Sequence, residues 1–97
     1  MGTRKVKWIE AIQIRARDCD KDLLKAELLK LIDESSRITE EQQIMVYSHV
    51  LVDTDFKIQI IHQTEKVERK GSPLGLRLLS ALEAFGLVNH SIWVALK

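Results

Sequence analysis

The chain has 97 residues, 45% of them hydrophobic, and its 15 basic residues nearly balance 14 acidic ones, for a formal net charge of +1. This length makes one domain with a single modest core, and the apolar share excludes a disordered chain. So even a charge balance speaks against a nucleic-acid partner and against a membrane surface, since both favour a cationic face. No apolar run reaches the ~20 residues that span a bilayer, and no leading apolar segment resembles a secretion signal. A cytoplasmic location is the resulting expectation. Cys19 is the single cysteine, which rules out an internal disulfide and a four-cysteine metal site. Lying between Asp18 and Asp20, it reads as a loop thiol without a role.

Val6 to Arg17 is predicted as a strand, with Val6, Trp8, Ile12 and Ile14 on one parity and Lys7, Gln13, Arg15 and Arg17 on the other. Glu10 breaks this pattern, a carboxylate on the apolar parity between Trp8 and Ile12. Asp20 to about Ser36 is predicted helical, because Leu24, Leu28, Leu31 and Ile32 recur at helical spacing among charged residues. Asp18 or Asp20 is its candidate cap, and the Ser35-Ser36 pair weakens its end. Ile44 to Val52 is strongly β-prone, Asp53-Thr54-Asp55 is a short polar break, and Phe56 to Gln63 returns as the second strand of a hairpin. Thr64 to Gly71 is charged and reads as a loop or strand extension.

Ser72-Pro73 then opens a second helix, supplying a side-chain cap and a fixed φ at the first helical position. Leu74, Leu78, Leu82 and Phe85 form its apolar stripe, and Gly86 is expected to close it in the left-handed conformation. Asn89 to Leu96 is the last strand. The order β-α-β-β-α-β defines an α+β domain of ferredoxin-like pattern, a four-stranded antiparallel sheet with two helices on one face.

That architecture leaves the second sheet face bare. Met45, Tyr47 and Leu51 oppose Val46, Val50 and Val52, and Trp93 and Ala95 oppose Ile92, Val94 and Leu96. Apolar residues on both parities point to a second copy of the chain covering the bare face, hence a homodimer.

The passage Leu79-x-x-Leu82-x-x-Phe85-Gly86-Leu87-Val88-x-His90-Ser91-x-Trp93, taken with the element order over nearly the whole chain, resembles the dimeric α+β barrel proteins. Within them it resembles the antibiotic biosynthesis monooxygenase group. The resemblance implies two sheets packed face to face. It also implies a pocket between sheet and helices in which some members oxidise aromatic or quinol-like molecules without metal or flavin.

The residues offer matching chemistry. His62 shares the parity of Phe56, Ile58 and Ile60, so it points into apolar space, where a neutral imidazole can take a proton from a phenol or an activated methylene group. Its alternative is a strand-end histidine bonded to nearby backbone. Glu10 is either buried with a partner or placed at a cleft rim, and Trp8, Tyr47 and Trp93 are candidate flat walls for an aromatic ligand, or else core and interface residues. His90 is read as complementing the negative end of the preceding helix. His49, His62 and His90 show no HxH or HxxxH pairing, so no metal site is expected. Nucleotide-phosphate loops, a GxSxG elbow and aromatic RNA-binding strands are absent from the sequence.

The expected function is therefore binding of a small aromatic or quinone-like molecule, extending to cofactor-free oxidation, with His62 as base and Trp8, Glu10, Tyr47 and Trp93 around the ligand. The alternative is a non-catalytic regulatory or assembly module that dimerises through its sheet. An open cavity with convergent polar groups separates the two.

Overall fold

A computed structural model describes residues 4–35 and 42–97. The chain runs through β1 (Val6–Ala16), a 3-10 turn (Asp18–Asp20), α1 (Lys21–Ser35), β2 (Gln42–Ser48), β3 (Asp55–Thr64), α2 (Pro73–Leu82) and β4 (Gly86–Val94). The expected helix end at Ser36 lies outside the described residues. The four strands form one sheet in the order β2-β3-β1-β4, with every neighbouring pair antiparallel. This is the ferredoxin-like βαββαβ fold. Among the described residues, no helix is long and apolar enough to cross a membrane.

Strand alternation decides which residues meet the helices. Ile12 stands opposite Ile58, and Ile14 opposite Phe56; these pack with Leu24 and Leu28 of α1 and Leu78 and Leu82 of α2 into one buried cluster. Both helices therefore cover the same sheet face, each through a stripe at spacing four. Leu23 and Leu29, off the stripe of α1, stay exposed.

Several boundaries differ from the sequence expectation, each for a physical reason. Asp18 and Asp20, the candidate caps, sit in a 3-10 turn that leads into α1, and Asp20 accepts from Arg17 Nε at 2.8 Å. The second strand stops at Ser48 rather than Val52. The Nδ1 atom of His49 accepts from the backbone N–H groups of Leu51 and Val52 at 3.0 and 3.1 Å, which turns the chain out of the sheet. Ser72 does cap α2, its Oγ accepting from the N–H of Gly75 at 3.0 Å, with Pro73 in the first turn. The helix ends earlier than expected, at Leu82, and Gly86 is the first residue of β4. Its φ is not positive, since Gly71 at +105° is the positive-φ residue among those described. Glycine is needed at position 86 for close approach: a Cβ there would lie 2.1 Å from the carbonyl oxygen of Arg15.

The bare sheet face is more mixed than the sequence suggests. Val50, Leu51 and Val52 lie in the β2–β3 loop, and Val46 and Ile92 share the parity of the helix-covered residues. On the open face, Ile9 stands between Ile61 and Trp93 in one cross-strand row, with Met45 nearby and glutamines and lysines around them.

Candidate functional site

Glu10 lies on β1 with its side chain fully buried beneath the start of α2. A carboxylate in such a place is costly unless charge-complementary groups surround it. Here they come from three directions. His62 of β3 brings Nε2 to Oε1 at 2.8 Å, His90 of β4 brings Nε2 to Oε2 at 2.9 Å, and the backbone N–H of Ser72 donates to Oε1 at 3.0 Å. The last contact places the anion at the positive end of a helix, where free N–H groups accumulate. Burial pushes the Glu10 carboxyl up, but hydrogen bonds from the Ser72 side chain, His90, the Ser72 backbone and His62 outweigh it and hold the group below its ordinary value of 4.5. Glu10 is thus an anion at neutral pH.

An ionised carboxylate only accepts hydrogen bonds, so the proton of each imidazole sits on the nitrogen facing it, Nε2. That assigns Nδ1 of neutral His62 as acceptor, and the Gln42 amide nitrogen stands 3.3 Å from it. Trp8 lies flat on the His62 ring, with centroids 4.0 Å apart and planes 18° apart, and its Nε1 donates to Thr64 Oγ1 at 2.8 Å. His62 is therefore sealed, with both ring nitrogens engaged. His90 differs: its side chain is 13% exposed, and among the described residues its Nδ1 has no hydrogen-bond partner.

The backbone makes room for this cluster. A Cβ on Gly75 would fall 1.9 Å from Glu10 Oε2, and one on Gly71 would fall 2.5 Å from His90 Cε1. Glycine at both positions lets the α2 entry close over the carboxylate.

The structure brings Trp8, Glu10 and His62 together, as expected. It does not bring Tyr47 or Trp93 to them. Both sit on the opposite sheet face, Tyr47 in the cross-strand row of Lys57 and Gln13, and Trp93 in that of Ile9 and Ile61. Trp93 is 59% exposed, with its Nε1 donating to Ser91 Oγ at 2.8 Å. His90, Ser72 and Gly75 were not anticipated as partners of Glu10. The available signals were the parity His90 shares with Val88 and Ile92, and a glycine inside the first turn of a capped helix.

Among the described residues, no group of three His, Cys, Asp or Glu side chains is arranged to hold a metal ion. The imidazole Nε2 atoms are instead turned onto the carboxylate oxygens. Comparison of the chain with protein-family models, with curated proteins and with solved structures gives no match.

Proposed function

We propose that the Glu10–His62–His90 cluster is an acid–base centre, and that the chain binds and oxidises a small aromatic or quinone-like molecule without a cofactor, as its resemblance to the antibiotic biosynthesis monooxygenase group implies. The observation that carries this reading is the narrow solvent-facing edge of His90, 13% exposed, against a fully buried carboxylate. Glu10 holds the Nε2–H tautomer of His90 and balances the imidazolium that forms when Nδ1 takes a proton. An activated methylene group losing that proton becomes a carbanion. The carbanion can reduce dioxygen to a carbon-bound peroxide, which takes the proton back from the His90 imidazolium and, as the hydroperoxide, loses water to leave a ketone. His90 replaces His62 as the base in this scheme, because both nitrogens of His62 are occupied. His62, held flat against the Trp8 ring, orients the carboxylate. Working as a cytoplasmic homodimer joined through the Trp93 row of the open sheet face is part of the same proposal, supported by the exposed Trp93 in one cross-strand row with the half-buried Ile9 and Ile61.

The test is oxygen uptake by the intact chain with a panel of phenols, quinols and anthrone-like compounds. Uptake that disappears in His90→Gln and Glu10→Gln but survives in Tyr47→Phe supports the scheme. Uptake unchanged in His90→Gln removes it.

The second reading, a non-catalytic assembly or regulatory module, is favoured by one observation. The space between α1 and the sheet, lined by Leu28, Ile44, Ile58 and Leu78, holds a void of only about 10 Å³. That is room for about one water. Titration with the same panel, followed by NMR, separates the readings: shifts at His90 and Ser72 belong to the first, and none with any compound to the second.

A further inference from the structure

A concavity lies away from the acid–base cluster, at the end of the sheet where the β2–β3 loop departs. It is a groove of about 690 Å³, within the ~300–1,000 Å³ typical of small-ligand sites. We propose that this groove binds a small aromatic anion, an aryl carboxylate or phenolate, with Lys57 as the countercharge and Tyr47 as the flat wall. This does not rest on the oxygenation scheme, since the row that forms its floor belongs to the opposite sheet face.

That floor is a single cross-strand row. Tyr47 of β2 stands opposite Lys57 of β3, Lys57 opposite Gln13 of β1, and Gln13 opposite Asn89 of β4. All four line the groove. Lys57 is half-buried, and among the described residues it has no ion pair. The acid of the groove, Asp55, is not available to it: both carboxylate oxygens are taken by Arg15, at 2.9 and 3.0 Å. The Arg15–Asp55 pair cancels, leaving the Lys57 ammonium as the uncompensated charge.

The remaining polar groups add donors. His49 spends Nδ1 on the N–H groups of Leu51 and Val52, so its neutral ring carries the proton on Nε2. The amides of Gln13 and Asn89 each offer two more N–H groups. A donor-rich site around a lone ammonium selects an anion. Its lining selects an aromatic one: Tyr47 is the cross-strand neighbour of Lys57 in the groove, and Leu87 and Val50, 78% and 91% exposed, are apolar surface awaiting cover.

The experiment is an NMR titration of the full chain with 2-naphthoate, with neutral 2-naphthylmethanol and acetate as controls. Naphthoate should give saturable shifts at the Gln13 and Asn89 side-chain amides and at Lys57. The neutral alcohol and acetate should each bind about tenfold more weakly or worse, the first lacking charge and the second the ring. Lys57→Met should weaken naphthoate by about the same factor, and Lys57→Arg should retain it. Equal binding of acid and alcohol, shifts confined to His90 and Ser72, or no saturable shift would each overturn the proposal. The acid-versus-alcohol comparison uses the unmutated chain and stands even if Lys57→Met fails to fold. Shifts confined to the groove leave the oxygenation scheme to its own assay.

Discussion

Glu10 Oε2 accepts from Nε2 of His90 at 2.9 Å across eighty positions of sequence. The two are not cross-strand partners. His90 stands opposite Ile12 and His62 opposite Trp8, so Glu10 lies between these rows and each histidine leans one pair along its strand to reach a different carboxylate oxygen. One side chain thus ties β3 and β4 to the central strand β1, and the Ser72 N–H adds the entry of α2.

This geometry predicts an acid limb in the stability curve. A carboxyl whose folded value is lowered stabilises the fold above its unfolded value of 4.5 and loses that contribution as pH falls through the lowered one. The melting temperature should therefore drop on acidification below about pH 4.5, in the window set by that downward shift. Glu10→Gln should flatten the drop and cost about 3 kcal/mol at neutral pH, because two imidazole donors lose their anion. The check is circular dichroism melting of both proteins from neutral to acid pH. A variant whose acid limb matches the parent's would show that Glu10 does not carry it.

The close approach of α2 to the carboxylate makes a second prediction. Gly75→Ala places a methyl group 1.9 Å from Glu10 Oε2, so either the helix entry or the carboxylate must move. Overpacking of this kind costs about 1–3 kcal/mol. The cause is identified by a double-mutant cycle: in a Glu10→Ala background the oxygen is gone, and Gly75→Ala should become nearly neutral. Additive losses would place the strain elsewhere.

Much of the fold was legible because local signals and tertiary packing agree. The Leu24–Leu28 and Leu78–Leu82 stripes, the Ser72-Pro73 start and the strand parities of Ile12 and Ile58 each follow from backbone periodicity. Glu10 was visible as a break in such a pattern, and His62 as its same-face neighbour. His90 was not, because its role depends on where β4 begins. A strand expected from Asn89 leaves His90 at a helix end, whereas one that begins at Gly86 carries it into the sheet. Tyr47 and Trp93 were grouped with the cluster by residue type, but alternation places them on the other face.

Position 86 distinguishes two reasons for a glycine. Were a positive φ the requirement, Asn would be tolerated there far better than Ala or Val. The structure instead brings the Arg15 carbonyl within 2.1 Å of any added Cβ. Gly86→Asn, Gly86→Ala and Gly86→Val should all lower the melting temperature, with Asn giving no rescue relative to Ala. A near-native melting temperature for Gly86→Asn would restore the left-handed explanation.

The open sheet face supplies the last prediction. Trp93, Ile9 and Ile61 form one apolar row, and the Trp93 indole N–H is satisfied within its own chain by Ser91, so the exposed ring needs only apolar cover. A row this short, ringed by glutamines and lysines, suits a polar-rimmed interface better than an unpartnered surface. Self-association through it predicts that Trp93→Asp shifts sedimentation toward the monomer while leaving the melt of the separated chain intact, because the ring contributes nothing to the buried core. Lys7→Ala, on the same face but outside the apolar row, is the control and should sediment like the parent. An unchanged profile for Trp93→Asp would remove this face as the interface, and a monomeric parent would remove the dimer itself.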